Sequence, residues 1–307
     1  MRALSFLVFI TLGVFIALSG SQLVSAAPPA KAFGELPVGY DGATSTDGTQ
    51  IALIVNVKGI YAVVAEPLDA KGAKRWYLSL GENIKPRYVK WVNNHRFVVS
   101  VAKSEEYRNT PFTVRYLFTG DINAREWRLL VKPKDMFRQI NDTVVDWLED
   151  DPEHILMAYS DEEWDAYPDI KKVYVATGRD TTVKRGLNGI GYWAADHEGT
   201  PMIGTGQTDR GNKRRVIFDK ETEDWDSVDD YPGLEADTPI YDILNQVREL
   251  VIGDYRGKDT MGVYVYDLKQ KRIVRDHFLS RQKNREQFFV ELDKFLNQVN
   301  GPSEYMK

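Results

Sequence analysis

Five times between Thr44 and Tyr255 the chain repeats one short plan: an apolar or small opening residue, a polar turn, usually rich in Asp or Asn, then a run of β-branched and aliphatic residues. The copies read TSTDGTQIALIV (44–55), WVNNHRFVVSVA (91–102), WLEDDPEHILMAY (147–159), WAADHEGTPMIGTG (193–206) and ILNQVRELVIGDY (243–255). A polar turn feeding a β-branched run is the signature of a hairpin. The copies start about 45 to 56 residues apart, the length of one four-stranded propeller blade. The fifth copy lacks both the Trp and the Asp-Gly turn.

Further strands fill the intervals. GIYAVVAEPL, KRWYLSL, TVRYLFTGD, EWRLLV, KKVYVATG, RRVIFD and GVYVYDL alternate or run apolar over strand lengths. The spacing predicts an all-β, β-propeller-like chain with about five recognisable blades, an incomplete ring being one form of it; a β-sandwich is the structural alternative. The period changes at the end. Phe288, Leu292, Phe295, Leu296 and Val299 fall at helical spacing between a capping Asn284 and a Gly301-Pro302 stop, which predicts a C-terminal amphipathic helix.

Before the repeats, Arg2 precedes an apolar run from Ala3 to Leu18, and small residues surround VSAAPP. This reads as a secretory signal cut after Ala26; the run is short for a membrane span, so no stable anchor is expected after cleavage. The expected plan is a signal at 1–26, a linker at 27–39, the propeller at 40–280 and a helix and tail at 281–307. The 307 residues contain no cysteine, which excludes disulfides, thiolate catalysis and zinc–thiolate sites. An exported chain without disulfides suits the periplasm or secretion. The formal charge of −5 gives no reason to expect a nucleic-acid partner.

The chemistry-bearing residues are sparse. A hydrolase nucleophile needs Gly-x-Ser-x-Gly on a sharp strand-to-helix turn, and no serine satisfies it. GPSEY around Ser303 has Tyr305 where the second small residue belongs. His95, His154, His197 and His277 show no zinc-binding spacing and read as turn or surface residues. Asp146, Asp161, Glu162, Glu163 and Asp196 are carboxylates that a propeller glycosidase would recruit to its axis; in the linear sequence they read first as solvated loop residues. Trp91, Trp147 and Trp193 open blade strands and read as packing between fanned sheets. Trp164 and Tyr167 lie in an acidic connection instead, and with Glu162 and Glu163 they are the candidate ligand-binding residues. No catalytic residue, metal site or cofactor is expected. A peptide or a partner protein is the expected ligand, and the sequence leaves the oligomeric state open.

WLEDDPEHILMAYSDEEWDAYPDIKKVYVATG, followed by GYWAADHEGTPMIGTG and RRVIFDKETEDWDSV, resembles the amino-terminal β-propeller of exported prolyl-oligopeptidase-family (S9) serine peptidases, the acylaminoacyl- and dipeptidyl-peptidase-like group. The resemblance rests on an Asp-Pro turn before a strand, a Tyr-Pro-Asp before a VYxxTG strand-turn, and a YWxADxxG unit, and it spans roughly residues 40 to 280. It implies a propeller that restricts peptide access to a catalytic chamber. The α/β-hydrolase domain that carries the family's triad has no counterpart among these residues. The expected function is therefore a non-catalytic periplasmic propeller that binds or gates peptides or a partner protein. The alternatives are the front part of an active S9 peptidase, a scaffold whose terminal helix packs on a partner, and a propeller glycosidase.

Overall fold

In the computed structural model, residues 38–69, 75–132, 139–160, 167–244 and 248–279 are described. They form five antiparallel sheets, each a meander of four consecutive strands. Blade 1 holds β1 (Gly39–Thr44), β2 (Gln50–Val57), β3 (Ile60–Pro67) and β4 (Trp76–Ser79). Blade 2 holds β5 (Ile84–Trp91), β6 (Arg96–Tyr107), β7 (Thr110–Asp121) and β8 (Glu126–Leu129), with the short β9 (Ile140–Asn141) paired parallel to β7. Blade 3 runs β10 (Val144–Asp146), β11 (His154–Tyr159), β12 (Asp169–Tyr174) and β13 (Asp180–Lys184). Blade 4 runs β14 (Ile190–Ala195), β15 (Pro201–Gln207), β16 (Lys213–Asp219) and β17 (Asp224–Ser227), and blade 5 runs β18 (Ile240–Leu244), β19 (Glu249–Asp254), β20 (Gly262–Asp267) and β21 (Arg272–Leu279). This is the all-β propeller plan the repeats predict. The predicted C-terminal helix lies outside the described residues.

Each repeated unit is the first hairpin of a blade, and in the first, second and fourth its Asp or Asn has a defined task. Asn93 Oδ1 accepts from the His95 and Arg96 amides at 3.1 and 2.8 Å, and Asp196 Oδ1 from the Glu198 and Thr200 amides at 3.1 and 2.8 Å. Asp47 Oδ1 takes the Thr49 amide at 3.0 Å. A short carboxylate or amide that bonds the backbone two residues on closes the turn without a second strand partner.

The continuous apolar runs follow from burial on both faces. In β6, Phe97, Val99 and Val101 join a cluster with Ala52, Ile54 and Val63 of blade 1. Val98, on the opposite face, joins Leu117, Ile155 and Met157 towards blade 3. Leu156 and Ile170 of blade 3 meet Ile190, Trp193 and Val216 of blade 4. Ile203 and Ile217 of blade 4 meet Leu250, Ile252 and Tyr264 of blade 5. Four clusters thus join consecutive blades, and each fully buried aliphatic side chain contributes about 1.5–3 kcal/mol relative to exposure. A fifth cluster, Leu244, Val251, Val263 and Val265, draws only on blade 5 among the described residues.

The acidic stretch 219–237 departs from the expectation of a plain connection. It contains β17 and a 3₁₀ turn, Val228–Asp230, whose Val228 is buried against the cluster between blades 4 and 5.

Candidate binding site on the inner strands

The first strands lie innermost: β1 packs against β5 and β10 against β14. All five carry a one-residue bulge at the same place. The ladder skips Tyr40 between Gly39 and Asp41, Arg87 between Pro86 and Tyr88, Val145 between Val144 and Asp146, Gly191 between Ile190 and Tyr192, and Tyr241 between Ile240 and Asp242. A bulge re-aims the residues around it and sharpens the local twist. The five equivalent residues just after it are Asp41, Tyr88, Asp146, Tyr192 and Asp242.

These positions link neighbouring blades. Asp41 Oδ2 accepts from the Val89 amide at 2.8 Å. His197, in the β14–β15 turn, places Nε2 2.9 Å from Asp242 Oδ1 of blade 5. Lys90 Nζ sits 4.4 Å from the centre of the Trp147 ring, a cation–π contact. Desolvation by the surrounding strands lowers the Lys90 pKa, opposed by the charges of Glu149 and Asp146. Half-burial raises the Asp146 carboxyl above its ordinary range, opposed by the Leu148 amide, which donates to Oδ1 at 2.7 Å, and by His197. Lys90, Asp146, His197 and Asp242 therefore make a run of polar side chains contributed by four consecutive blades.

Beside this run lies an open groove of about 860 Å³. Its walls include Gly42 of β1, Ile51 and Leu53 of β2, and Tyr88, Lys90 and Trp91 of β5. A Cβ on Gly42 would stand 2.6 Å from Leu53 Cδ2, so the missing side chain keeps this wall low. The groove is mainly apolar with one ammonium at its rim.

The residues expected to act divide sharply. Asp146 sits on the inner strands. Asp196 does not act there: it is 1 % exposed, closes its hairpin turn and pairs with Lys220 Nζ at 2.8 Å. Neither is the solvated loop residue the sequence suggested, because each lies at a blade-to-blade or turn contact. Tyr167 is half-buried just before β12, away from the groove walls named above. Trp164, Glu162, Glu163 and Asp161 lie outside the described residues. Trp91 and Trp193 are buried between blades, and Trp147 packs against the cluster joining blades 2 and 3. Among the described residues no cluster of three or more His, Asp or Glu side chains is arranged to hold a metal ion. Sequence reasoning missed Lys90, the His197–Asp242 pair and the groove. The available signal was the Asp or Tyr preceding each first hairpin.

The fold defines a β-propeller of four-stranded blades. No family profile matches the chain, and no curated protein matches it. Among solved structures it is similar to an acylaminoacyl peptidase in complex with Z-Gly-Gly-Phe-chloromethyl ketone, at 15% identity and TM-score 0.45 over 80% of this chain and 39% of that one. It is also similar to TolB from Acinetobacter baumannii, at 12% identity and TM-score 0.36 over 76% of this chain and 53% of that one. The tricorn protease matches at 13% identity and TM-score 0.38, over 76% of this chain and 23% of the other. The chain thus spans only about a quarter to a half of these proteins' lengths. The likeness concerns the strand plan alone, and the blade assignment rests on the ladders and clusters above.

Proposed function

We propose that the chain is an exported, non-catalytic propeller whose inner-strand groove binds a peptide or an extended segment of a partner protein. The observation that carries this reading is the groove itself: open, about 860 Å³, walled by Ile51, Leu53 and Trp91, and edged by the Lys90 ammonium. An apolar trough with one charged group at the rim recognises chain conformation and a single acidic or carbonyl-rich feature. The local chemistry supports binding better than turnover, because no serine has an elbow motif and Asp41, Asp47, Asp142, Asp196 and Asp242 are engaged in turns, blade contacts and ion pairs.

The test is retention of peptides by the full chain produced in an export-competent host. An N-acetylated pentapeptide library is passed over immobilised protein and the retained species are identified by mass spectrometry. Binding that Leu53→Asp abolishes while the circular-dichroism spectrum is unchanged supports the groove. Absence of retention, or retention indifferent to Leu53→Asp, overturns it. Recovery of the chain in the periplasmic fraction with Ala27 at its amino terminus tests the export half of the proposal.

A further inference from the structure

Next to the groove, between blades 2 and 3, a buried carboxylate is held against two guanidiniums. Asp142 is 5 % exposed. Its Oδ2 accepts from Ser100 Oγ at 2.6 Å and lies 3.1 Å from Arg87 Nε, while Oδ1 lies 3.5 Å from Arg115 Nε. Arg87 is the residue skipped by the β5 bulge, which is how a strand otherwise committed to its ladder releases a long side chain here. Arg115 belongs to β7, and the parallel pairing of β9 at Arg115–Ile140 and Tyr116–Asn141 brings the following Asp142 beside it.

The arithmetic of charge leaves a surplus. One carboxylate faces two guanidiniums, and neither arginine has a second acidic partner among the described residues. Their side chains keep 40% and 29% of their surface open. They line a cavity of about 390 Å³ whose other walls are Tyr88, Thr143, Val144 and Trp147. The Tyr88 hydroxyl reaches the Asp142 carbonyl at 3.4 Å, and burial with the nearby Asp142 charge pushes its pKa well up, so it stays a neutral wall. Tyr88 also lines the groove, so the two spaces adjoin.

We propose that this cavity receives the terminal carboxylate of a peptide whose preceding residues lie in the groove, the two guanidiniums binding the carboxylate and Val144 and Trp147 receiving the last side chain. Forked guanidiniums match a carboxylate with charge-assisted hydrogen bonds. A space of this size holds one residue rather than a folded partner. Asp142 holds the arginines in place when no ligand is bound. The assignment rests on the reading of the groove as a peptide site.

The experiment compares the pentapeptide library made as free acids with the same library made as carboxyl-terminal amides, passed over the full chain at low salt. Free acids should be retained about tenfold better or more, the ratio expected when a charge-assisted contact is lost. Arg87→Gln should bring the two libraries to parity while amides bind as before, and Arg87→Lys should restore part of the preference. Arg87 is the more exposed of the pair, so its replacement spares the fold better than that of Arg115. Equal retention of acids and amides by the unaltered chain overturns the carboxylate pocket and leaves the groove standing. Preferential retention of amides rich in Asp or Glu assigns the arginines to side-chain carboxylates and overturns the terminal assignment. Retention of neither library overturns both readings.

Discussion

Trp91 and Ala43 tie the first two blades together at the inner strands: the indole N–H donates to the Ala43 carbonyl at 2.9 Å while the ring packs edge-on against Phe97, 5.2 Å between centres. Trp91→Ala should cost about 3–5 kcal/mol, the range for deleting a buried large aromatic. Trp91→Phe should cost about 1–2 kcal/mol, because the apolar ring remains and chiefly the carbonyl's donor is lost. Urea unfolding followed by circular dichroism separates the two; a Trp91→Phe variant as stable as the unaltered chain would mean the hydrogen bond contributes nothing.

Asp196 and Lys220 form a second, electrostatic tie inside blade 4. Lys220→Met removes the cation from a carboxylate with no solvent of its own and should cost about 2–4 kcal/mol. Asp196→Asn retains an acceptor for the Glu198 and Thr200 amides and should cost less. A thermal melt in which Asp196→Asn is the more damaging change would show that the charge, rather than the turn, is what the blade needs.

Asp146 supplies a pH signature. Burial raises its carboxyl pKa, so the folded chain binds a proton that the unfolded chain releases, and stability falls as pH rises from the ordinary carboxylate range through the raised folded value. Asp146→Asn removes the buried charge while preserving the acceptor for the Leu148 amide. Its melting temperature should exceed that of the unaltered chain at pH 7, and the gain should vanish at pH 3. A gain of the same size at both pH values would sink the assignment to charge burial.

Gly206 is where the ladder leaves no room for a side chain. A Cβ there would lie 1.9 Å from the Gly189 carbonyl oxygen, which accepts from the Gln207 amide at 2.8 Å. Gly206→Ala should therefore cost about 2–3 kcal/mol through forced backbone displacement. Gly191→Ala, with nothing within 4 Å of the added atom, should change stability by less than about 0.5 kcal/mol. Denaturant midpoints for the pair decide the point.

The hairpin units were legible because Asp and Asn turns are local chemistry, and the two-faced burial of strands such as β6 shows as an unbroken apolar run. The alignment of the copies was less exact. Relative to the bulges, Trp147, Trp193 and Ile243 stand one residue after the Asp or Tyr, whereas Thr44 and Trp91 stand three after it. A slip of two preserves the face of a strand, so Trp91 still packs between blades and the error left no trace in the pattern. The bulges were hidden for the opposite reason: an extra residue breaks the period of two over strands only three to eight residues long. The Arg87–Asp142–Arg115 cluster could not be read at all, since those residues, far apart in the chain, meet only once β5, β7 and β9 are laid into one sheet.

The skipped residues Tyr40, Arg87, Val145, Gly191 and Tyr241 fall outside the Cα register of the ladders, so the pairing of the strands does not depend on them. Packing holds most of them instead: Tyr40 lies edge-on against Tyr61, Arg87 reaches Asp142, Val145 packs on the cluster joining blades 3 and 4, and Tyr241 on that of blade 5, while a Cβ added to Gly191 would meet nothing within 4 Å. At Gly191, exposed and with open space above it, a substitution can thus change what the first strand of blade 4 displays while every hydrogen-bonded register stays as it is.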